Sequence, residues 1–200
     1  MLIDIGANLT HESFQGDIES VLARAKESKV DQIIVTGTSV LSSIRAQQLT
    51  QKHNPLYSTA GIHPHHAEET SERTIADLEK ILILPEVVAV GETGLDFFRD
   101  YTARDVQIFS FEKHIELATR LKLPMFLHER EAHKDFLQLL REYIHKIENV
   151  VVHCFTGDKT SLRNYLDLDC YIGITGWITD TKRGSHLHDI LKYIPSDKFG

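Results

Sequence analysis

Seven short apolar runs, helix-length stretches between them, and a polar residue just past nearly every run predict an α/β fold of the TIM (β/α)8 barrel type. The runs are Leu2 to Ile5, Ile33 to Val35, Leu56 to Ala60, Val87 to Val90, Met125 to Leu127, Val150 to Val152 and Tyr171 to Ile174. Each is apolar and partly β-branched, and reads as a parallel strand buried on both faces. Their last residues are 5, 35, 60, 90, 127, 152 and 174, so successive ends stand 22 to 37 residues apart, with room for one helix each time.

The intervals carry helical periodicity. The stripes are Ile18, Val21, Leu22 and Ala25; Ile75, Leu78 and Leu82; Ile108, Phe111, Ile115 and Ala118; Phe136, Leu139, Leu140, Tyr143 and Ile144; and Leu162, Tyr165 and Leu166. A last stripe, Leu187, Ile190, Leu191 and Ile194, ends at Pro195. A doubly wound sheet would satisfy the same alternation, but it gathers function at one switch point, whereas a barrel gathers it from many strand ends on one face. Here Asn8, Thr36, His63, Glu92, His128, His153 and Thr175 follow the runs, which favours the barrel. A closed barrel of this type has eight strands and about 250 residues. The chain is therefore expected to form one domain over residues 1–200 with about seven βα units. An eighth strand, beginning near Phe199, is expected to be missing, which leaves the first and seventh strands with unpaired edges.

Composition limits the function classes. With 42% hydrophobic and 26% charged residues the chain is an ordinary globular unit, neither disordered nor fibrous. Its 22 Lys and Arg against 29 Asp and Glu give a net charge of −7, so it lacks the field of a non-specific duplex binder. Nucleic acid would have to be held by local groups or by metal. Cys154 and Cys170 form neither a disulfide framework nor a zinc-finger spacing, and each is expected to be a buried small hydrophobe. A start without a basic segment, and no apolar run near ~18 residues, lead to the expectation of a cytoplasmic protein without membrane contact.

Glu92 stands where an apolar strand runs into a carboxylate set between Gly91 and Gly94, an expensive place for an unpaired charge. It reads as a turn acid bonded to backbone amides or as a metal-bridging carboxylate. His128 and His153 each follow a strand of three or four apolar residues. Singly, each would be a satisfied core histidine. Converging with Glu92 at the mouth of a barrel, they make a His/His/carboxylate set suited to a divalent metal, for which hydrolysis is the natural chemistry. In Gly61-Ile62-His63-Pro64-His65-His66, His63 sits at a strand end and is a candidate contact to substrate or metal. His65 and His66 read as exposed loop residues, with His65 a substrate contact, because Pro64 breaks the spacing a helical site would use.

Taken together, His63-Pro64-His65, Gly91-Glu92-Thr93-Gly94-Leu95-Asp96, the strand into His128, His153-Cys154-Phe155-Thr156-Gly157 and Gly173-Ile174-Thr175-Gly176 resemble the TatD family of metal-dependent deoxyribonucleases, from Asp4 to Gly200. The resemblance implies an amidohydrolase-like TIM barrel in which Glu92 holds or bridges divalent metal, His128 and His153 are further ligands and His63 lies near the scissile phosphate. Glu92 and His63 are then the catalytic candidates. The implied activity is hydrolysis of DNA phosphodiesters, foremost 3′ to 5′ exonuclease action on single-stranded DNA, with RNA a further substrate. Magnesium is the implied ion, with manganese or zinc as substitutes. A monomer without an obligate protein partner is expected, and a role in DNA repair or nucleic-acid turnover follows from the resemblance alone. Many members begin Asp-x-His-x-His, whereas this chain has Gly6 and Asn8 at those histidine positions. That resembles the subgroup of TatD proper and argues against a fully occupied two-metal site.

Substrate contacts are expected from Phe97, Phe98 and Arg99 after the fourth strand, and from Trp177, Lys182 and Arg183 after the seventh, since aromatic faces stack on unpaired bases. The alternative is that such aromatics only cover the barrel rim. Arg130 is a phosphate candidate or else a surface partner of Glu129 or Glu131. No serine nucleophile elbow, phosphate loop or dinucleotide motif occurs. The competing functions are a metal-dependent hydrolase of small amides, lactones or phosphoesters, and a catalytically silent barrel fragment. Family members continue into an eighth strand with a Glu-Thr-Asp motif whose Asp acts as ligand and base. The 200-residue chain is therefore expected to show weak or no turnover of 5′-labelled single strands, and a version extended through that strand to be active. Equal activity of the two would overturn the expectation.

Overall fold

The computed structural model describes residues 2–54, 56–182 and 184–200. Its strands are β1 (Leu2–Ala7), β2 (Val30–Val35), β3 (Leu56–Ala60), β4 (Val87–Asp96), β5 (Met125–Arg130), β6 (Val150–His153) and β7 (Tyr171–Ile172). All pair in parallel, each with the next in chain order, where a doubly wound sheet would reverse direction. Ile5, Ile34, Thr59, Val88, Phe126, Val151 and Tyr171, one from each strand, line a single apolar cavity of about 320 Å³, so the sheet curls on itself as a partial barrel. Beside β7, Phe199 forms a parallel bridge with Ile172, and the Gly200 amide donates to the Ile172 carbonyl at 3.0 Å. Strand-like pairing thus begins where the eighth strand is expected.

The helices are α1 (Ile18–Glu27), α2 (Val40–Thr50), α3 (Glu72–Leu82), α4 (Arg104–Leu121), α5 (His133–Tyr143), α6 (Lys159–Asp167) and α7 (Ser185–Leu191). Six of them bear the stripes read from the sequence. The exception, α2, turns Ser43, Ala46, Gln47 and Thr50 inward, a small and polar face with no hydrophobic period, and is nucleated by a reciprocal cap between Ser39 and Ser42. The main core lies between sheet and helices, where Phe111, Phe136, Leu140, Leu162 and Tyr165 are buried and the Phe111 and Phe136 rings stack at 5.2 Å. Among the described residues no helix is long and apolar enough to cross a membrane.

Two expectations are corrected. β1 is not buried on both faces: Leu2 is 59% and Ile3 45% exposed, because among the described residues no strand pairs with its outer edge. The strand limits also differ, since β4 runs on to Asp96, β5 to Arg130 and β6 to His153, so that Glu92, His128 and His153 lie within strands and not past them. The apolar run stops earlier than the hydrogen bonding does.

Burial sets the relative cost of truncation. Phe136→Ala is expected to lower unfolding stability by about 3–5 kcal/mol, whereas Leu2→Ala on the open edge should stay within about 0.5 kcal/mol. Urea denaturation of the two variants checks the contrast.

Candidate metal and active site

The site is built on a distortion of β4. Val90 faces Met125 and Thr93 faces Leu127, so β4 carries one extra residue at Gly91-Glu92. Gly91 and Gly94 have φ of 146° and 138°, and a Cβ at either would collide with a β5 carbonyl oxygen, that of Phe126 or of His128 respectively. The Glu92 amide donates to the Gly37 carbonyl at 2.7 Å and the His63 amide to the Thr38 carbonyl at 2.9 Å, so the loop after β2 anchors both. A buried histidine of α4 steadies the approach to His63. His114 Nε2 accepts from the Ile62 amide at 3.0 Å and its Nδ1 donates to the Ser110 carbonyl at 2.7 Å. Burial holds this imidazole neutral, lowering its pKa to about 4.

One ligand atom from each of His63, Glu92 and His128 lies within 4.8 Å of the others. His128 Nδ1 stands 3.0 Å from Glu92 Oε1 and its Nε2 3.2 Å from Asp96 Oδ2, so one imidazole meets two carboxylates. Burial would depress the His128 pKa, but those two hydrogen bonds and the charges behind them raise it to about 9. Burial would likewise raise the Glu92 carboxyl, yet the His128 hydrogen bond and the fields of His63, His128 and His153 bring it down to about 2. His63, with Nε2 3.7 Å from Glu92 Oε1, is driven by burial to about 3 and is a neutral imidazole. Asp96 is 1% exposed and fully engaged. Its Oδ2 also meets His65 Nε2 at 2.8 Å, and its Oδ1 accepts the Phe98 and Arg99 amides at 3.1 and 2.8 Å. These bonds overcome burial and hold its pKa below the usual carboxylate range.

Of the residues singled out in the sequence, Glu92, His63 and His128 form the tight group. His65 joins it through Asp96. Contrary to expectation His65 is not an exposed loop residue: it lies in the first turn of a 3-10 helix, Pro64–Glu69, with its side chain 28% exposed, while His66 is exposed as expected. His153 pairs in register with His128, but its ring lies on Phe126, 4.5 Å between centroids, outside the trio. Its Nδ1 is buried and has no hydrogen-bond partner among the described residues. Gly6 makes room for that ring, since a Cβ there would stand 2.7 Å from His153 Cε1. The role of Asp96 was missed in the sequence because the apolar run of β4 ends at Val90; an acid one residue beyond Gly94-Leu95 was the available signal. Tyr101, edge-on to His65 at 4.8 Å, was missed as well.

The rim residues separate. The Arg130 guanidinium sits 3.8 Å over the Phe98 ring and 5.4 Å from that of Trp177. It does not pair with Glu129, which is turned inward to the Tyr165 hydroxyl at 2.9 Å and the Ala132 amide at 2.8 Å, and among the described residues Arg130 has no ion pair. Phe97 packs on the core beneath Arg104. Arg183 lies outside the described residues. Cys170 is buried as expected, but Cys154 is only half-buried, because it stands at the end of β6 facing Thr175, with its Sγ 3.3 Å from Thr175 Oγ1.

Two imidazoles and an ionised carboxylate at such range, beside a buried histidine nitrogen without a partner among the described residues, are a donor set that suits a divalent cation. The comparisons agree in kind. The sequence pattern of the family described as TatD related DNase matches residues 3–199. A relative from Erwinia tasmaniensis called 3′-5′ ssDNA/RNA exonuclease TatD is 42% identical over 198 residues, 98% of this chain and 76% of the relative. A protein of the same name from Edwardsiella piscicida is 44% identical over the same shares. The crystal structure of YJJV, a TatD homolog from Escherichia coli K12, superposes with a TM-score of 0.92 at 30% identity, covering 99% of this chain and 76% of that one. A TatD family hydrolase from Entamoeba histolytica gives 0.89 at 29% identity, covering 99% and 71%.

His114 yields a pH prediction. The folded protein keeps it neutral where the unfolded chain binds a proton, so the stability it contributes is lost as pH falls from 6.5 toward about 4. His114→Gln is expected to flatten that part of the stability profile, measured by urea midpoints across the range.

Proposed function

The chain belongs to the TatD related DNase family, and from that membership we propose that it is a metal-dependent nuclease releasing nucleotides from the 3′ end of single-stranded DNA or RNA. The observation that carries this reading is the convergence of His63, Glu92 and His128 near a rim where the Arg130 guanidinium lies over the exposed Phe98 ring. Residues 1–200 act as one barrel domain.

Glu92, His128 and His63 would hold the ion, with the unpartnered Nδ1 of His153 beside them. Magnesium is the proposed ion, with manganese or zinc able to replace it at a site that includes nitrogen donors. Lewis-acid polarisation of a phosphoryl oxygen, and a lowered pKa of water, are what a divalent ion supplies in such a place. The chain's own residues do the rest. Asp96 holds His128 through Nε2 and so turns Nδ1 toward Glu92, the arrangement by which an outer carboxylate fixes the orientation of a ligand imidazole. His63 is oriented by the His65 amide, 3.1 Å from its Nδ1, with its Nε2 turned toward Glu92 and the side of the reacting phosphate. Arg130 places positive charge by the phosphate, and Phe98, Trp177 and His65 line the path of the strand. The protein works on its substrate as a cytoplasmic monomer in nucleic-acid turnover or repair.

The test is nucleotide release from 5′-labelled single strands with magnesium or manganese, using the chain and a version extended through an eighth strand. Chelator and Glu92→Ala are each expected to abolish release, and Asp96→Asn to weaken metal binding by about 10–100-fold. Hydrolysis of small lactones or phosphoesters with intact oligonucleotides would overturn the reading.

A further inference from the structure

The metal centre does not explain how the protein tells an unpaired strand from a paired one, since every strand carries the same phosphodiester. The rim supplies a physical basis. Arg130 lies two residues beyond His128 on β5, so its side chain leaves the same face of the strand. Its guanidinium covers one face of Phe98 at 3.8 Å and approaches Trp177 at 5.4 Å. Stacking occupies the flat face of a guanidinium and leaves its N–H edge, which here has no carboxylate partner among the described residues, available for a phosphate.

Phe98 is 47% exposed at this point, while its neighbour Phe97 packs on the core, so the loop spends one aromatic on the core and offers the other at the rim. The offered ring is not loose. Asp96 accepts the Phe98 and Arg99 amides, and the Phe97 amide donates to the Arg130 carbonyl at 2.9 Å, which joins the two loops. The same Asp96 holds His65 and His128, so the stack is fixed relative to the candidate metal ligands. With a net charge of −7 the chain has no diffuse attraction for a strand, and local contacts must hold it.

We propose that Phe98, Arg130 and Trp177 form a subsite for one unpaired nucleobase and an adjacent phosphate, and that this subsite makes the protein select single strands over duplex ends. The proposal rests on the nuclease reading above. Ring stacking is tolerant of base identity, so the subsite selects for exposure of a base and not for sequence. A paired end offers no free base face without breaking the pair.

The test is fluorescence anisotropy with labelled oligothymidylate in chelator, where turnover does not intervene. Phe98→Ala and Arg130→Ala should each raise Kd about ten-fold, the scale of one base–aromatic stack, and Phe98→Tyr should restore binding. An oligonucleotide carrying a single abasic residue, moved along the strand, should bind the wild type about ten-fold more weakly at one position and Phe98→Ala no more weakly than intact strand does. An unchanged Kd for Phe98→Ala, or undiminished discrimination against the abasic strand by that variant, overturns the subsite. Nucleotide release separates the two readings. Binding through Phe98 without cleavage in any metal, even by the version extended through an eighth strand, would leave the subsite standing and the nuclease reading fallen. Cleavage of paired and unpaired ends by Phe98→Ala at the wild-type ratio would do the reverse.

Discussion

How closely β4 can lie against β5 determines what the mouth of the barrel can hold. At Gly91 and Gly94 the two backbones approach to a separation that leaves no room for even a methyl group, and the extra residue between those points moves both carboxylates of the segment onto one imidazole. Glu92 reaches Nδ1 of His128, and Asp96 reaches Nε2. Two buried acids would repel each other and resist ionisation if they stood alone. With an imidazole between them and backbone amides on Asp96, each stays charged, and their negative charge is concentrated where a cation would sit.

The remaining supports serve that arrangement from a distance. Gly37 and Thr38, at the end of β2, take the backbone amides of Glu92 and His63, so a loop with no chemistry of its own spaces the two reactive side chains. His114 does similar work from α4 by capping the Ile62 amide inside the core. The Tyr165, Glu129 and His133 network turns Glu129 inward and thereby leaves Arg130 to the aromatic rim. Binding groups at the surface therefore depend on hydrogen bonds made in the interior.

Much of this was legible in the sequence, for reasons that can be located. The strands and six helices announce themselves because they carry continuous apolar runs or stripes, and the polar residues at the ends of the runs identify the working face. Helix α2 did not, because its inward face of Ser43, Ala46, Gln47 and Thr50 lacks the contrast on which periodicity depends. The end of β4 was misplaced because glycine interrupts an apolar run while the ladder of hydrogen bonds continues, and Asp96 was passed over with it. His65 was read as exposed since its partner is 31 positions away, a relation no local pattern encodes. His114 stood beside Ile115 and Phe111 on a stripe already recognised as buried, and the question of what satisfies its nitrogens was the clue. The open edge of β1 followed from counting strands, although the apolar character of Leu2 and Ile3 suggested burial.

Gly6 has a meaning beyond the loss of a donor. Its missing side chain and the ring of His153 claim the same volume, since any Cβ at that position would meet the imidazole at 2.7 Å. Histidine at position 6 and the present rotamer of His153 are therefore mutually exclusive states and cannot be added independently. A histidine at position 6 would require the His153 ring to turn aside, so the effects of changes at the two positions should not add.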